Sequence, residues 1–458
     1  MIEQTLATIA EAVAGRVYPN DAGDIRIRGV QFDSRKIESG HLFVPLVAER
    51  DGHDFTSSAI EKGAVATLWS KDAADVPAGV PAILVDDTLA AYQALAGWYL
   101  QEVSPTVVAI TGSNGKTTTK DMTAAVVSTQ YKTHKTEANY NNHLGVPMTI
   151  LSMAPETDVI ILEMGMDHPG DIHDLSLLVQ PDIGVITMIG ESHLEFFGSR
   201  EKIAQAKLEL LDGFKSSSVL VTTGDEPLLA EALATTQSYS FGLEEGNSLR
   251  ASEIVNLKHT TEFAVVGHEE LTVTIPVPGR HNVHNALAAL SVGLQLEIPL
   301  EVGAAGLATF QLTKNRLEWI AGKQHSQILN DAYNASPSSM KAVLEYMGAL
   351  EHDGRKLVVL GDMRELGEQS RMLHESLAAS IELGEFDEVF LYGEEMRALY
   401  EKLAAKLSAD HLHYVKEGTA TLAAQIEAEL QPGDAVLVKS SFGTNLLDVV
   451  ARLKESDI

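Results

Sequence analysis

The sequence has no cysteine among its 458 residues. That excludes a disulfide framework, a thiolate metal site and a cysteine nucleophile, and it leaves the compartment open. Runs of Lys and Arg are also missing, and acidic residues outnumber basic ones 64 to 34, for a formal net charge of −30. A nucleic-acid backbone would meet a repulsive average field, so no nucleic-acid partner is expected. A small anion differs, because a few placed cations and backbone N–H groups bind phosphate against an unfavourable total charge. No apolar stretch approaches the roughly 20 residues that cross a bilayer, so no membrane span is expected. The first residues place Ile2, Leu6, Ile9 and Val13 at helical spacing, with Glu3 and Glu11 among them. They lack a basic segment and a long apolar stretch, which argues for a helix and against a signal peptide. Repeats at solenoid spacing and low-complexity tracts are absent as well.

The composition, 45% apolar and 21% charged, is that of a globular protein. The length is too great for one ordinary core and sets an expectation of about three domains. From about Val107 onward, short β-branched runs alternate with helical patterns, the mark of parallel sheets flanked by helices. The expected class is therefore α/β. Strands are expected over 107–111, 159–164, 183–188 and 219–222, and again over 356–360, 388–392 and 435–438. Breaks at 102–106, where a Pro precedes a strand, and at 310–316, a polar segment after an apolar helix, divide the chain into 1–102, 103–312 and 313–458.

The segment VVAITGSNGKTTTK carries the clearest chemistry. A strand of β-formers runs into a loop with Gly112 and Gly115, and Lys116 and Thr117 open a helix. Glycines let the loop turn its N–H groups toward phosphate oxygens; the Lys reaches the outer phosphates and the Thr offers a hydroxyl to magnesium. Thr111, Gly112, Ser113, Asn114, Gly115, Lys116, Thr117 and Thr118 are the expected nucleotide contacts. The match is to the inner GxxGKT spacing only, since Ile110 stands where the general motif has its first Gly. Glu163 closes the next strong strand, where a carboxylate at the C-terminal edge faces the phosphate crevice and offers a second magnesium contact.

Those residues, followed by EANYNNHLGVPMTIL, LEMGMDHPGDI, HLEFFGSREKIAQAKLELL, PGRHNVHNALAAL, NDAYNASPSSMKAVL and LGDMRELG, resemble the Mur ligases of peptidoglycan synthesis. The likeness runs through all three units. It implies an N-terminal domain holding a UDP-sugar, a central P-loop ATPase domain, and a Rossmann-like C-terminal domain that closes over the nucleotide. It also implies a cytoplasmic, monomeric enzyme using ATP and Mg2+. Within the family the resemblance favours the branch that joins D-alanyl-D-alanine to UDP-N-acetylmuramoyl-tripeptide through an acyl phosphate.

Carried over residue by residue, the family pattern implies phosphate and metal roles for Lys116, Thr117, Glu163 and His193, and a carbamylated, metal-binding Lys207. Read without the family, His193 is a surface loop residue, and Lys207 is a solvated lysine on a helix whose buried face is Ile203, Leu208 and Leu211. Asn282 matches a position near the adenine, with His281 and Asn285 as neighbours, yet an Asn before an apolar helix is also an ordinary N-cap. Arg316 matches a phosphate-contacting residue and Asp331 a ribose-binding one, with Tyr333 and Asn334 at the same edge. Ser34, Arg35, Asn141 and Asn142 are candidate substrate contacts, with a plain surface loop as the alternative.

One departure stands out: VLVKSSFGTNLLDVV carries Phe442 where relatives often have Arg, which puts in doubt contacts assigned to that loop. A DNPR-like motif, usual in the sibling that adds the third amino acid, is missing, and the DSR segment fits folylpolyglutamate synthase poorly. A non-catalytic P-loop switch would predict loss of Glu163, His193 or Lys207, and all three are present.

Overall fold

The strand expected at 107–111 forms at Thr106–Thr111 and lies inside a nine-stranded sheet, in a computed structural model that describes residues 1–311, 313 and 315–455. Its neighbours are Val159–Glu163 on one side and Ile183–Ile186 on the other, both parallel to it. Thr133–Lys135 forms one edge; Val219–Thr223 and Ser238–Gly242 continue the parallel part, and three strands from Leu249–Asn256 to His268–Ile275 extend it, antiparallel to one another. Val107 to Ile110 and Val159 to Leu162 are all buried, because helices cover both faces of the sheet. This is why those strands read as continuous apolar runs instead of alternating ones.

A six-stranded sheet follows, ordered Glu318–Ala321, Gln327–Asp331, Ala435–Lys439, Lys356–Gly361, Glu388–Tyr392 and Leu412–Val415, parallel except for its first strand. The N-terminal unit, whose elements the sequence left unread, has a five-stranded sheet from Arg16–Tyr18 to Val30–Gln31, parallel apart from Arg16–Tyr18. The chain is thus α/β throughout, in three sheet-based units. No helix among the described residues is long and apolar enough to cross a membrane.

Several local expectations are corrected. The N-terminal helix begins at Leu6 and not at Ile2, because Glu3–Thr5 pairs antiparallel with Arg26–Arg28 and Thr5 caps the helix by accepting from Thr8 N at 3.2 Å. The strands expected over 159–164 and 183–188 stop at Glu163 and Ile186, where the chain leaves the sheet to build the crevice. The break near 102 is one of chain direction more than of packing. Helix Thr88–Val103 ends at Ser104, in the left-handed region just before Pro105. Yet Tyr92, Leu95 and Tyr99 on this helix share one core with Val107, Ile150 and Leu162, so the first two units bury a common apolar surface. Tyr99 Oη donates to Met153 O at 3.0 Å across that surface. The expected boundary between 312 and 313 involves Leu312, which lies outside the described residues, as does Lys314 of the expected polar segment.

Candidate active site

The phosphate loop owes its shape to two backbone requirements. Gly112 adopts φ +151°, and a Cβ there would sit 1.8 Å from Thr187 Oγ1, which donates to Asn114 O at 2.6 Å. Gly115, at φ +83°, starts helix Lys116–Val127, and a Cβ would sit 2.4 Å from Asn285 Oδ1. Both positions exclude a side chain because another element presses on the loop. Ser113 Oγ accepts from Gly190 N at 2.8 Å, and Asn114 Nδ2 reaches Ser336 Oγ at 2.9 Å in the C-terminal unit. Lys116 Nζ folds back on Gly112 O at 2.8 Å, and burial lowers its pKa. A phosphate would offer this ammonium the charge-assisted partner that a carbonyl replaces only in part.

The loop opens into a cavity of about 1100 Å³ at the junction of the central and C-terminal units. Ser113, Asn114, Gly115, Lys116, Thr117, Thr118, Glu163, His193, Asn282, Arg316, Asp331, Asn141 and Asn142 all line it, whereas Thr111, Gly112 and Lys207 stand behind the lining. Glu163 is 2% exposed; its Oε1 accepts from Asn141 Nδ2 at 2.9 Å, and its Oε2 has no partner. A buried carboxylate oxygen without a donor is costly, and its strand lies parallel beside the one that leads into the loop, Glu163 opposite Ile110. Arg316 crosses from the C-terminal unit, donating from Nη2 to Thr117 Oγ1 at 3.2 Å and stacking its guanidinium 4.5 Å over the Tyr333 ring. Asp331 pairs with Lys439 and accepts from Leu317 N at 3.2 Å.

Lys207 is the largest departure from the residue-level reading. It is 1% exposed, on helix Arg200–Leu208, whose buried positions are Ile203, Ala204, Ala206 and Lys207 itself, while Leu208 and Leu211 are only partly buried. The expectation of a solvated lysine is therefore wrong. Its Nζ lies 3.8 Å from Met166 Sδ, a cavity residue, and burial, aided by the charge of Lys116, pushes its pKa well below the ordinary lysine value. Asn282 is likewise not an N-cap. The helix starts at Arg280 after Gly279, and Asn282 sits within its first turn, donating to Pro278 O at 2.7 Å and accepting from Asn285 at 2.9 Å. Asn142 turns its side chain to the N–H groups of Leu144 and Gly145, a helix-entry role. Ser34 and Arg35 lie away from the cavity lining; Arg35 is exposed and paired with Asp33 at 2.8 Å. Lys36 next to them donates to Tyr140 Oη at 3.0 Å, tying this segment to the loop that bears Asn141. Phe442 is exposed, with its ring 6.1 Å from that of Tyr333.

Some cavity residues escaped the sequence reading. Lys439 comes from the strand beside Asp331, and the only signal was a Lys at a strand's C-terminal edge. Asp167 and Asp225 line the cavity too, and Asp225 anchors the Leu243 and Glu244 N–H groups and Asn247. His281, already named beside Asn282 in the sequence, lines it as well, held neutral down to about 4 by burial. Among the described residues no group of three or more His, Asp and Glu side chains is disposed to hold a metal. Of the four expected ligands one is a hydroxyl and one an unmodified amine, so only Glu163 and His193 count toward such a group.

Three family models match the chain in order: the Mur ligase family catalytic domain over residues 26–99, the Mur ligase middle domain over 110–293, and the Mur ligase glutamate ligase domain over 315–442. The chain belongs to the Mur ligase family. A Mur ligase from Bacillus subtilis (strain 168), the UDP-N-acetylmuramoyl-tripeptide--D-alanyl-D-alanine ligase, is 43% identical over 459 aligned residues, covering 100% of both chains. Among solved structures, MurF from Acinetobacter baumannii superposes with a TM-score of 0.88 at 30% identity, over 99% of each chain. MurF ligase from Thermotoga maritima in complex with ADP gives a TM-score of 0.81 at 27% identity, over 93% of this Mur ligase and 97% of that chain.

Proposed function

We propose that this Mur ligase uses ATP to join D-alanyl-D-alanine to UDP-N-acetylmuramoyl-tripeptide, in the cytoplasmic assembly of peptidoglycan precursor. The observation that carries the reading is one cavity where the phosphate loop, Glu163 and the Arg316–Asp331–Lys439 group converge from two units. A carboxylate is a poor electrophile because an attacking amine would have to expel oxide. Transfer of the outer phosphoryl group of ATP to a carboxylate oxygen supplies a leaving group; the amine nitrogen then bonds the carbonyl carbon, loses a proton, and phosphate departs.

In this reading the central task is control of charge between two anionic reactants. The loop N–H groups of 111–118 and Lys116 hold the phosphates, Arg316 steadies the transferring group from the C-terminal unit, and Asp331 and Asn282 orient the nucleoside. The fit to Mg2+ rests on the unpartnered Glu163 Oε2 and on the hard-oxygen character of the remaining donors. Thr117, Glu163, His193 and a carbamylated Lys207 would hold the metal, which supplies neutralisation of the phosphoryl oxygens. Carbamylation needs a neutral amine, and burial keeps Lys207 in that form more readily than an exposed lysine. Asn141 fixes Glu163, while Ser34 and Arg35 serve the UDP end through the segment tied to Tyr140. The units carrying these roles are 1–102, 103–312 and 313–458, and the chain acts as a monomer in this reading.

The test is direct. Purified protein is incubated with ATP, Mg2+, UDP-N-acetylmuramoyl-tripeptide and D-alanyl-D-alanine, and phosphate release is expected only when both acceptor and donor are present. Release independent of either one would overturn the reading.

A further inference from the structure

Phe310, Thr313 and Arg316 fall at even spacing along the linker between the central and C-terminal units. Each meets the phosphate-loop helix Lys116–Val127 nearer its start than the one before. Phe310 is 6% exposed and shares an apolar core with Met122 and Val126 of that helix. Thr313 Oγ1 donates to Asp121 Oδ2 at 2.7 Å, and Arg316 Nη2 donates to Thr117 Oγ1 at 3.2 Å. Thr117 and Asp121 are four residues apart, so they stand on one face of the helix. The linker is laid along that face, against the helix direction.

Asp121 is a fixed point for it. Its side chain is 4% exposed, and its Oδ1 meets Lys135 Nζ at 2.6 Å and Lys120 Nζ at 3.3 Å. Lys120, itself buried, also donates to Thr136 O at 2.8 Å, and Thr136 Oγ1 accepts from Glu163 N at 3.0 Å. The carboxylate is therefore held against the strand that ends in Glu163, with its other oxygen turned to the linker. A hydroxyl on a carboxylate makes a charge-assisted bond, roughly twice as strong as one between neutral groups.

On either side of Arg316 the backbone is held by the C-terminal unit. Asn315 and Leu317 both take left-handed conformations, at φ +64° and +45°, which persist only where contacts impose them. Asn315 Oδ1 accepts from Asn330 Nδ2 at 2.9 Å and Leu317 N donates to Asp331 Oδ1 at 3.2 Å, both on strand Gln327–Asp331. Thr313 supplies the link to the central unit. Three residues span at most about 11 Å and six about 21 Å, against about 6 Å from Thr117 to Asp121 along the helix. With Thr313 held, the Arg316 backbone stays within reach of Thr117; anchored only at Phe310, it could stand roughly twice as far away.

We propose that Asp121 is a positioning residue for Arg316: its bond from Thr313 registers the linker on the phosphate-loop helix, so that the guanidinium arrives beside Thr117, where the outer phosphoryl group is held. The inference rests on reading Arg316 as a contact of that group.

The test is calorimetric binding of β,γ-methylene ATP and of ADP, each with Mg2+, to the full chain. Thr313→Val removes the hydroxyl, keeps the shape and leaves the pairs of Asp121 with its lysines in place. It should weaken β,γ-methylene ATP binding at least about 5-fold, the low end of coupling between linked sites. ADP binding should weaken much less, because Arg316 serves the outer group that ADP lacks. Thr313→Ser, which keeps the hydroxyl, should bind both as the wild type does. In an Arg316→Ala background Thr313→Val should add nothing, since the residue it acts through is gone. A merely structural bond would lower the melting temperature and leave the ratio of the two affinities unchanged. An unchanged ratio in Thr313→Val, or losses that add in the double variant, would overturn the proposal. Should Thr313→Val fail to fold, Thr313→Ala is judged by the same two outcomes. A wild type that binds β,γ-methylene ATP but releases no phosphate from ATP with both substrates present would refute the proposed function, while the ratio and the double variant still judge Asp121.

Discussion

Replacing Lys207 by Met should make the unliganded protein more stable while abolishing ligation. The substitution keeps the length and apolar stem of the side chain and removes an amine that is 1% exposed, with a thioether at 3.8 Å as its recorded polar neighbour. A buried polar group lacking a good partner costs about 1–3 kcal/mol, and a volume-conserving apolar replacement forfeits little packing. In a unit of about 200 residues each kcal/mol moves the melting temperature by roughly 2–4 °C. In CO2-free, Mg2+-free buffer at pH 7 the variant is therefore expected to melt a few degrees higher. The gap should shrink as pH rises. Burial holds the folded-state pKa of Lys207 below its unfolded value, so the unfolded chain binds more protons and wild-type stability climbs with pH toward the unfolded pKa. Bicarbonate with Mg2+ should reverse the order by stabilising only the wild type, and 13C-bicarbonate should give a carbamate carbon signal absent from the variant. A variant that melts lower in CO2-free buffer, or retains ligation, would refute the account of this buried amine.

Three other outcomes follow from the site. Gly112→Ala should abolish nucleotide binding by calorimetry, because its Cβ would lie 1.8 Å from Thr187 Oγ1; adding Thr187→Ala should restore part of it, and full additivity of the two changes would contradict the steric cause. Asn141→Leu should leave Glu163 Oε1 without its donor at 2.9 Å and raise the Mg2+ requirement for nucleotide binding about 10- to 100-fold, read by titration. His281, held neutral to about 4 against an unfolded value of 6.5, should destabilise the protein as pH falls from 6.5 toward 4. The unfolded state takes up the proton first, so the loss has a ceiling of about 3 kcal/mol, lessened because the ring opens onto the cavity. Urea unfolding at pH 8 and pH 5 should show a smaller pH effect in His281→Gln, and an equal effect would remove His281 as its source.

Much of the cavity was legible because its chemistry is written in local order. The phosphate loop is a strand, a glycine turn and a helix start in consecutive residues, so Gly112, Gly115, Lys116 and Thr117 could be read together. The class was legible for a similar reason: strands buried on both faces are continuous β-branched runs such as VVAI and VIIL. The N-terminal unit was not, because its strands are two to four residues long and leave little periodicity to read. Asn282 misled for a physical reason, since an Asn ahead of an apolar helix looks like a cap whether the helix begins before or after it.

By itself, then, the order of residues determined the main strands of the second and third units and the glycine turn that opens into the cavity, because backbone preference and turn chemistry act over a few neighbours. Tertiary structure alone decided that Lys207 is buried, that Asn141 serves Glu163, that Lys439 meets Asp331, and that Thr313 reaches Asp121 from the linker. Those pairs are tens to hundreds of residues apart in the chain. What joins them is the stacking of sheets and the seating of one unit on another, and no local pattern encodes that.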